Sequence, residues 1–274
     1  MNHTGTPKKN PSVVAIIPAR YSSSRLPGKP LLEIAGRPMI LHVVERALAA
    51  SVVERVVVAT DDERIFTAVR DAGFEALMTR AEHASGSDRL AEAAAQIDAD
   101  IVVNVQGDEP LVAPETIARA VEALLADDDA SVSTTCEPFE SAAGVLSGDV
   151  VKVVSDERGH ALYFSRSPVP FPREAVRRCG SLAAALEVEP ELLATFRKHT
   201  GLYVYRRAFL LEFACWPQTP LERAESLEQL RVLERGHVVK VVEAAAPSVG
   251  VDTEEDLMRV RELMEGVQSS RFKV

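Results

Sequence analysis

Three cations fall within one short stretch, "ARYSSSRLPGK": Arg20, Arg25 and Lys29, interleaved with the hydroxyls of Tyr21, Ser22, Ser23 and Ser24 and followed by Pro30. A loop of this kind, with Gly28 to let the backbone turn, can wrap a polyphosphate with N–H groups and charge-assisted hydrogen bonds. Arg offers a planar fork to phosphate oxygens and Lys a compact charge. The stretch is not a Walker A loop, since the leading Gly is missing and Pro30 stands where a magnesium-binding Ser or Thr would follow the Lys. No GxGxxG turn occurs in the chain, which argues against a nicotinamide or flavin enzyme. The plain alternative is a solvated surface loop, because scattered Arg and Lys are ordinary on surfaces.

Two acidic stretches could complete such a site. "VVNVQGDEPLV" sets Asp108 and Glu109 just past an apolar run, with Gly107 allowing a tight turn and Pro110 stiffening the exit. Magnesium favours hard oxygen ligands and takes one or two protein carboxylates plus substrate phosphates, a role open to Asp108. "GVDTEEDL" repeats the arrangement with Asp252, which could be a metal ligand or a helix N-cap. Its spacing to Glu255 favours the capping box.

The elements that must position these loops are legible as alternating periods. Strands are expected at 13–18, 55–60, 75–78 and 100–106, the first and last being the continuous apolar runs of parallel strands covered on both faces. Helices are expected at 38–50, with Pro38 in the first turn, at 61–73, capped by Asp61 and closed by Gly73, and at 87–97. This βαβ rhythm predicts an α/β fold: an open, mostly parallel sheet flanked by helices, with ligands outside the carboxyl ends of the strands. The second half is less regular. "VVKVV", "ALYFS", "TGLYVY" and "HVVKVVEA" read as strands and "LERAESLEQLRVLERG" as one helix, extending the same sheet and adding a covering arm. Residues 1–11 read as a disordered tail. Residues 12–266 read as a single domain, with a nucleotide-binding half about 12–136 and a second half about 137–266.

With 274 residues and 46% apolar content the chain can bury a full core. Its formal charge of −10 argues against non-specific binding to nucleic acid or an anionic membrane. Three scattered cysteines (Cys136, Cys179, Cys215) suit reduced thiols in a cytosol, and no apolar run approaches membrane-spanning length. A soluble, cytoplasmic protein is expected.

The ordered set "IIPARYSSSRLPGKPL", "MTRAEHASGSDRLAE", "IVVNVQGDEPLV", "VVKVVSDERGHALYFSRSPVP", "HTGLYVYR", "PLERAESLEQLRVL" and "GVDTEEDLMRVR" resembles the 3-deoxy-manno-octulosonate cytidylyltransferase (CMP-Kdo synthetase) family from residue 13 to about 264. The resemblance implies a nucleotide-diphospho-sugar transferase-like, Rossmann-like fold, a homodimer, magnesium dependence and CMP transfer from CTP to the acidic sugar Kdo, for lipopolysaccharide synthesis. Carried over by motif, Arg20, Arg25 and Lys29 hold the triphosphate, Asp108 and Asp252 the metal, and Arg80 and Ser85 line the cytosine pocket. Gln106, Arg166, His199, Tyr203 and Glu228 serve the sugar, with Arg166 suited to grip its carboxylate. The bland readings are that Glu228 pairs with Arg231 on an exposed helix face, that Tyr203 is a core aromatic, that His83 is an exposed loop histidine and that His42 is core or dimer contact. No side chain stands out as a general base. The stretch 171–198 is longer than the family pattern and Val204 replaces a Gly, so departures fall on the sugar side. Alternatives are a cytidylyltransferase for another acidic sugar, 8-amino-Kdo or sialic acid, and a non-catalytic nucleotide-binding protein.

Overall fold

The computed structural model describes residues 11–22, 26–83 and 86–271, the last six of these as backbone only. Of the expectations above, Arg25, Ser85 and residues 1–10 of the tail lie outside the described residues. The first half runs β1 (Val13–Ala19), β2 (Glu33–Ile34), β3 (Arg37–Pro38), α1 (Met39–Leu48), β4 (Arg55–Thr60), α2 (Glu63–Asp71), β5 (Glu75–Met78), α3 (Gly86–Ala95), β6 (Ile101–Asn104), α4 (Pro114–Leu125) and β7 (Ala130–Pro138). The second half runs α5 (Ala142–Leu146), β8 (Lys152–Ser155), β9 (Ala161–Ser165), α6 (Arg173–Cys179), α7 (Leu182–Val188), β10 (Arg197–Arg206), α8 (Arg207–Phe213), α9 (Pro220–Glu225), α10 (Gln229–Glu234), β11 (Val238–Glu243) and α11 (Glu254–Arg271).

The main sheet has the order β11-β7-β10-β6-β1-β4-β5, with β8 on β10 and β9 on β8. Pairings β6–β1–β4–β5 and β11–β7 are parallel and those of β10 antiparallel, so β9 and β10 run against the rest. Strand alternation divides the core into two layers. Val13, Ala15, Ile17, Val103 and Val105 face α1, α2 and α4, while Val14, Ile16 and Val102 face α3, α8 and α10. Val204 is fully buried in the first layer, on the opposite face from Tyr203 and Tyr205. Val204, standing where the resemblance leads one to expect Gly, therefore fills core space.

A third, smaller cluster matters most for the site. Val251, Leu257 and Val260 of the C-terminal segment pack on Leu26, Ile34 and Met39, and Arg261 donates to the Glu33 carbonyl at 2.9 and 2.8 Å. This apolar contact lays the start of α11 against the N-terminal corner. The 139–196 arm holds a fourth cluster, Phe139, Val145, Leu186 and Phe196, so the long stretch 171–198 supports itself.

Three local expectations are corrected. The helix after β4 is capped by Asp62, which accepts from Arg64 N at 3.0 Å, because Asp61 is drawn away to Arg89 Nη2 at 2.9 Å. Pro38 precedes α1 instead of entering its first turn. The expected helix 221–236 is two helices, broken where Ser226 takes φ 52°. Among the described residues no helix is long and apolar enough to cross a membrane.

An ionic cluster ties the turn between α4 and β7 to the start of β9 and to β11. Asp127 Oδ2 lies 2.8 Å from His160 Nε2 and 3.2 Å from Lys240 Nζ. The His160 hydrogen bond, aided by Lys240, overcomes burial and pulls the Asp127 carboxyl down to about 2. An unfolded Asp titrates near 4, so the cluster stabilises the fold above about pH 4 and that stability is lost as pH falls through about 2. Asp127→Asn is expected to cost ~1 kcal/mol at neutral pH in urea titrations and nothing near pH 2. A penalty independent of pH would show the cluster to be electrostatically idle.

Candidate active site

β1 and β6 end side by side, Ile16 against Asn104, and the loops that follow them form one wall of a hollow. The first loop closes on itself: Gly28 N donates to Tyr21 O at 2.9 Å, and Gly28, at φ 69°, lies so close under the Tyr21 ring that an added Cβ would sit 3.1 Å from it. Arg64 stacks over the other part of that ring, 3.3 Å from its centroid. The second loop has the same requirement at Gly107, where a Cβ would meet the Pro18 carbonyl at 3.0 Å. A glycine is therefore what lets Asp108 come up beside β1.

The hollow, about 340 Å³, is lined by Pro18, Ala19, Arg20, Ser22, Lys29, Pro30, Gln106, Gly107, Asp108 and Asp252. Lys29 Nζ lies 2.9 Å from Asp108 Oδ2 and 3.0 Å from Asp252 Oδ1. Burial alone would depress the Lys29 ammonium, but Asp108 and Asp252 outweigh it and hold its pKa above the ordinary value. Asp252 arrives through the apolar contact described above and through the Val251 N bond to the Asp108 carbonyl at 2.9 Å. The N-cap reading of Asp252 is corrected. The capping box is made by Thr253 and Asp256: Asp256 N donates to Thr253 Oγ1 at 3.2 Å and Thr253 N to Asp256 Oδ2 at 2.9 Å. Asp256 Oδ2 also accepts from Asp252 N at 3.0 Å, which leaves the Asp252 carboxylate to face Lys29.

Two carboxylates converging on one ammonium at the rim of an open hollow fit a divalent cation that needs few protein oxygens and completes its shell with phosphate. The Lys29 ammonium is itself a cation within 3.0 Å of both. Among the described residues there is no cluster of three or more His, Cys, Asp or Glu that could hold a metal.

A second hollow, about 270 Å³, shares Pro18 and Gln106 with the first and adds Gly86, Ser87, Asn104, Tyr203, Tyr205, Ser226, Leu227, Glu228 and Gln229. Gln106 Nε2 donates to the Gly201 carbonyl at 2.9 Å, which fixes the side chain between the two hollows. The break between α9 and α10 turns Ser226–Gln229 into this space, and Glu228 accepts from Ser87 Oγ. The plain alternative, a Glu228–Arg231 pair on an exposed helix face, does not form: Arg231 is buried and its guanidinium bonds both oxygens of Glu222. Tyr203 lines the hollow, with burial holding its phenol well above the ordinary pKa.

The remaining sugar-side residues sit behind this wall. His199 Nε2 is 2.9 Å from Thr134 Oγ1, its ring lies between Phe164 and Tyr203 at centroid distances of 5.0 and 5.3 Å, and burial pushes the imidazole down to about 3. It is therefore neutral at physiological pH. Arg166 is turned toward backbone carbonyls, Nε to Glu225 O at 2.7 Å, Nη1 to Gly148 O at 3.2 Å and Nη2 to Ser226 O at 3.4 Å. It lines neither hollow here and braces the Ser226 turn. Buried Lys152 donates to the carbonyls of Ser147, Val150 and Arg166 and holds that corner.

On the base side, Arg80 is exposed, with its backbone N donating to Glu92 Oε2 at 3.1 Å. His83 proves buried against the expectation of an exposed loop histidine, because its ring bonds Glu92 on α3. Arg20 Nη2 donates to the His83 carbonyl at 3.1 Å, which joins this segment to the cationic loop. Fully buried Arg89 bonds Asp61 and Thr79 and anchors the same segment from below. His42 is core, its Nε2 2.8 Å from Ile34 O.

An open, mostly parallel sheet whose strand ends carry a cationic loop, a carboxylate pair and a neighbouring hydroxyl-lined hollow fits a nucleotide-dependent transferase architecture. The cytidylyltransferase model matches residues 14–243, and the chain belongs to that family. Within it the similarity is to 3-deoxy-manno-octulosonate cytidylyltransferases: 51% identity to that of Syntrophotalea carbinolica over 93% of this chain and 100% of the relative, and 52% to that of Geobacter metallireducens over 96% and 99%. A solved CMP:2-keto-3-deoxy-manno-octonic acid synthetase complexed with CTP is 44% identical, with TM-score 0.83 over 93% of this chain and 99% of that one. A Methanothermobacter nucleotidyl transferase, 17% identical with TM-score 0.60 over 94% of this chain and 100% of its own, shares the fold.

Proposed function

We propose that this chain transfers CMP from CTP to the anomeric hydroxyl of 3-deoxy-D-manno-octulosonate, releasing pyrophosphate. The observation that carries the reading is the meeting of Asp108, Asp252 and Lys29 in a hollow that opens, through Gln106 and Pro18, onto a second hollow of hydroxyl-binding groups. The 44% identical synthetase was solved with CTP and is named for the sugar acid.

In the reaction the sugar oxygen forms a bond to the α-phosphorus while the bond from that phosphorus to the bridging oxygen of pyrophosphate breaks, so two anions must be held together and the leaving charge stabilised. Arg20 and Lys29 supply fixed positive charge to the triphosphate, and Arg80 with its neighbours flanks the base. Asp108 and Asp252 would hold a magnesium ion, whose contribution when bound is to neutralise phosphate charge and acidify the attacking hydroxyl. His199, neutral and bonded to Thr134, positions Tyr203; it does not take the proton. The protein acts as a homodimer in the cytoplasm, feeding lipopolysaccharide synthesis. Among the described residues, the most exposed large apolar side chains, Val188, Leu162 and Phe171, all lie in the second half.

Pyrophosphate release with magnesium and CTP tests the reading, with Kdo, 8-amino-Kdo and sialic acid as acceptors and UTP and ATP as base controls. Turnover with CTP and Kdo well above the other pairs is expected. Preference for another acceptor would move the assignment to that sugar, and no turnover with any would overturn it.

A further inference from the structure

Asn104 is the last residue of β6 and lies between Ile16 of β1 and Tyr203 of β10. It falls on the strand face that Val102 uses to pack the second core layer, yet it carries an amide in a run that is otherwise apolar. The side chain is 5% exposed, and no donor among the described residues reaches its Oδ1. A buried carbonyl oxygen without a partner destabilises the fold, so a group that persists in this state points to a donor arriving from elsewhere. Asn104 lines the second hollow, beside Gln106, Ser87, Tyr203 and Glu228.

The chemistry of that hollow narrows the donor. Its lining includes one carboxylate, Glu228, and no Lys or Arg, with amides and hydroxyls making up the polar remainder. Such a wall suits the hydroxyls of a polyhydroxy ligand and disfavours a polyphosphate. The phosphates belong to the cationic hollow, and the 79–83 segment is joined to that side by Arg20. The far wall of the second hollow, Tyr203 and residues 226–229, comes from the second half of the chain.

Building on the function proposed above, we infer that Asn104 Oδ1 accepts a hydrogen bond from a hydroxyl of the acceptor sugar and sets specificity for that hydroxyl. A site built to pair a hydroxyl rejects an analogue lacking it, because the site's own polar atom is left buried and unpaired. Asn104 thus discriminates without taking part in bond making or breaking.

The test compares the wild-type protein with Asn104→Leu, which keeps the size and removes the acceptor, using Kdo and analogues each lacking a single hydroxyl. Wild type is expected to lose about tenfold to a hundredfold in kcat/KM with one analogue, and Asn104→Leu to lose the same with Kdo while no longer distinguishing the two. The KM for CTP should stay unchanged. A folded Asn104→Leu protein with an unaltered kcat/KM for Kdo, or with a raised KM for CTP alone, overturns the inference while the catalytic reading stands. Wild-type protein that releases no pyrophosphate with Kdo and CTP fails the catalytic reading itself and takes this inference with it. If the variant does not fold, a crystal structure of the wild-type protein with Kdo decides: a sugar hydroxyl within hydrogen-bond distance of Asn104 Oδ1 supports the inference, and a ribose hydroxyl or water there overturns it.

Discussion

Asp108→Ala is expected to leave a folded protein with kcat reduced about a thousandfold or more. The asymmetry follows from what Asp108 touches. Its side chain is 35% exposed and meets Lys29, while the backbone bond that docks the C-terminal segment, Val251 N to Asp108 O, survives the substitution. A half-open ion pair contributes ~0–1 kcal/mol to stability, so the melting temperature should shift by a few degrees at most. The chemistry loses one of two carboxylates able to hold a divalent cation against the phosphates. Near-normal pyrophosphate release by folded Asp108→Ala protein would remove that carboxylate from the mechanism.

The second large effect is expected at Lys29. Lys29→Met should lower kcat/KM for CTP by about a hundredfold to ten-thousandfold, since a preorganised positive charge beside transferring phosphate is lost from a site that screens it poorly. The change also has a signature that needs no turnover. Without the ammonium, whose side chain is 12% exposed, Asp108 and Asp252 face each other uncompensated. In chelator the variant should melt below wild type, and magnesium should raise its melting temperature more than that of wild type, where the cation competes with Lys29. Equal magnesium responses in the two proteins would place the metal elsewhere.

Much of this site was legible in the residues. Continuous apolar runs marked β1 and β6 as central strands, and the parallel rhythm then placed their following loops at one edge of the sheet. Asp252 was harder because "DTEED" offers two capping registers. Thr253 with Asp256 prevails, as Val251, Leu257 and Val260 must all reach the corner made by Ile34 and Met39, a tertiary demand that spacing does not carry. The single helix expected over 221–236 failed for a similar reason. Its apolar period runs on across Ser226, while the break is enforced from outside by Arg166 and by the pull of Ser87 on Glu228. His83 was misjudged because Glu92, which buries it, stands nine positions away on α3. Asn104 did leave a signal, a lone amide inside an apolar strand, and was passed over along with Arg89.

The two hydrogen bonds of Lys29 join parts of the polypeptide 79 and 223 positions downstream. Both main core layers close with β11, which ends at Glu243, but the carboxylate that completes the acidic pair follows later. A nascent chain still on the ribosome can therefore assemble its sheet and its basic loop while lacking one of the two carboxylates that face Lys29. Docking of α11 on the corner made by Ile34 and Met39 then brings Asp252 to Lys29, so the acidic pair is completed after the sheet.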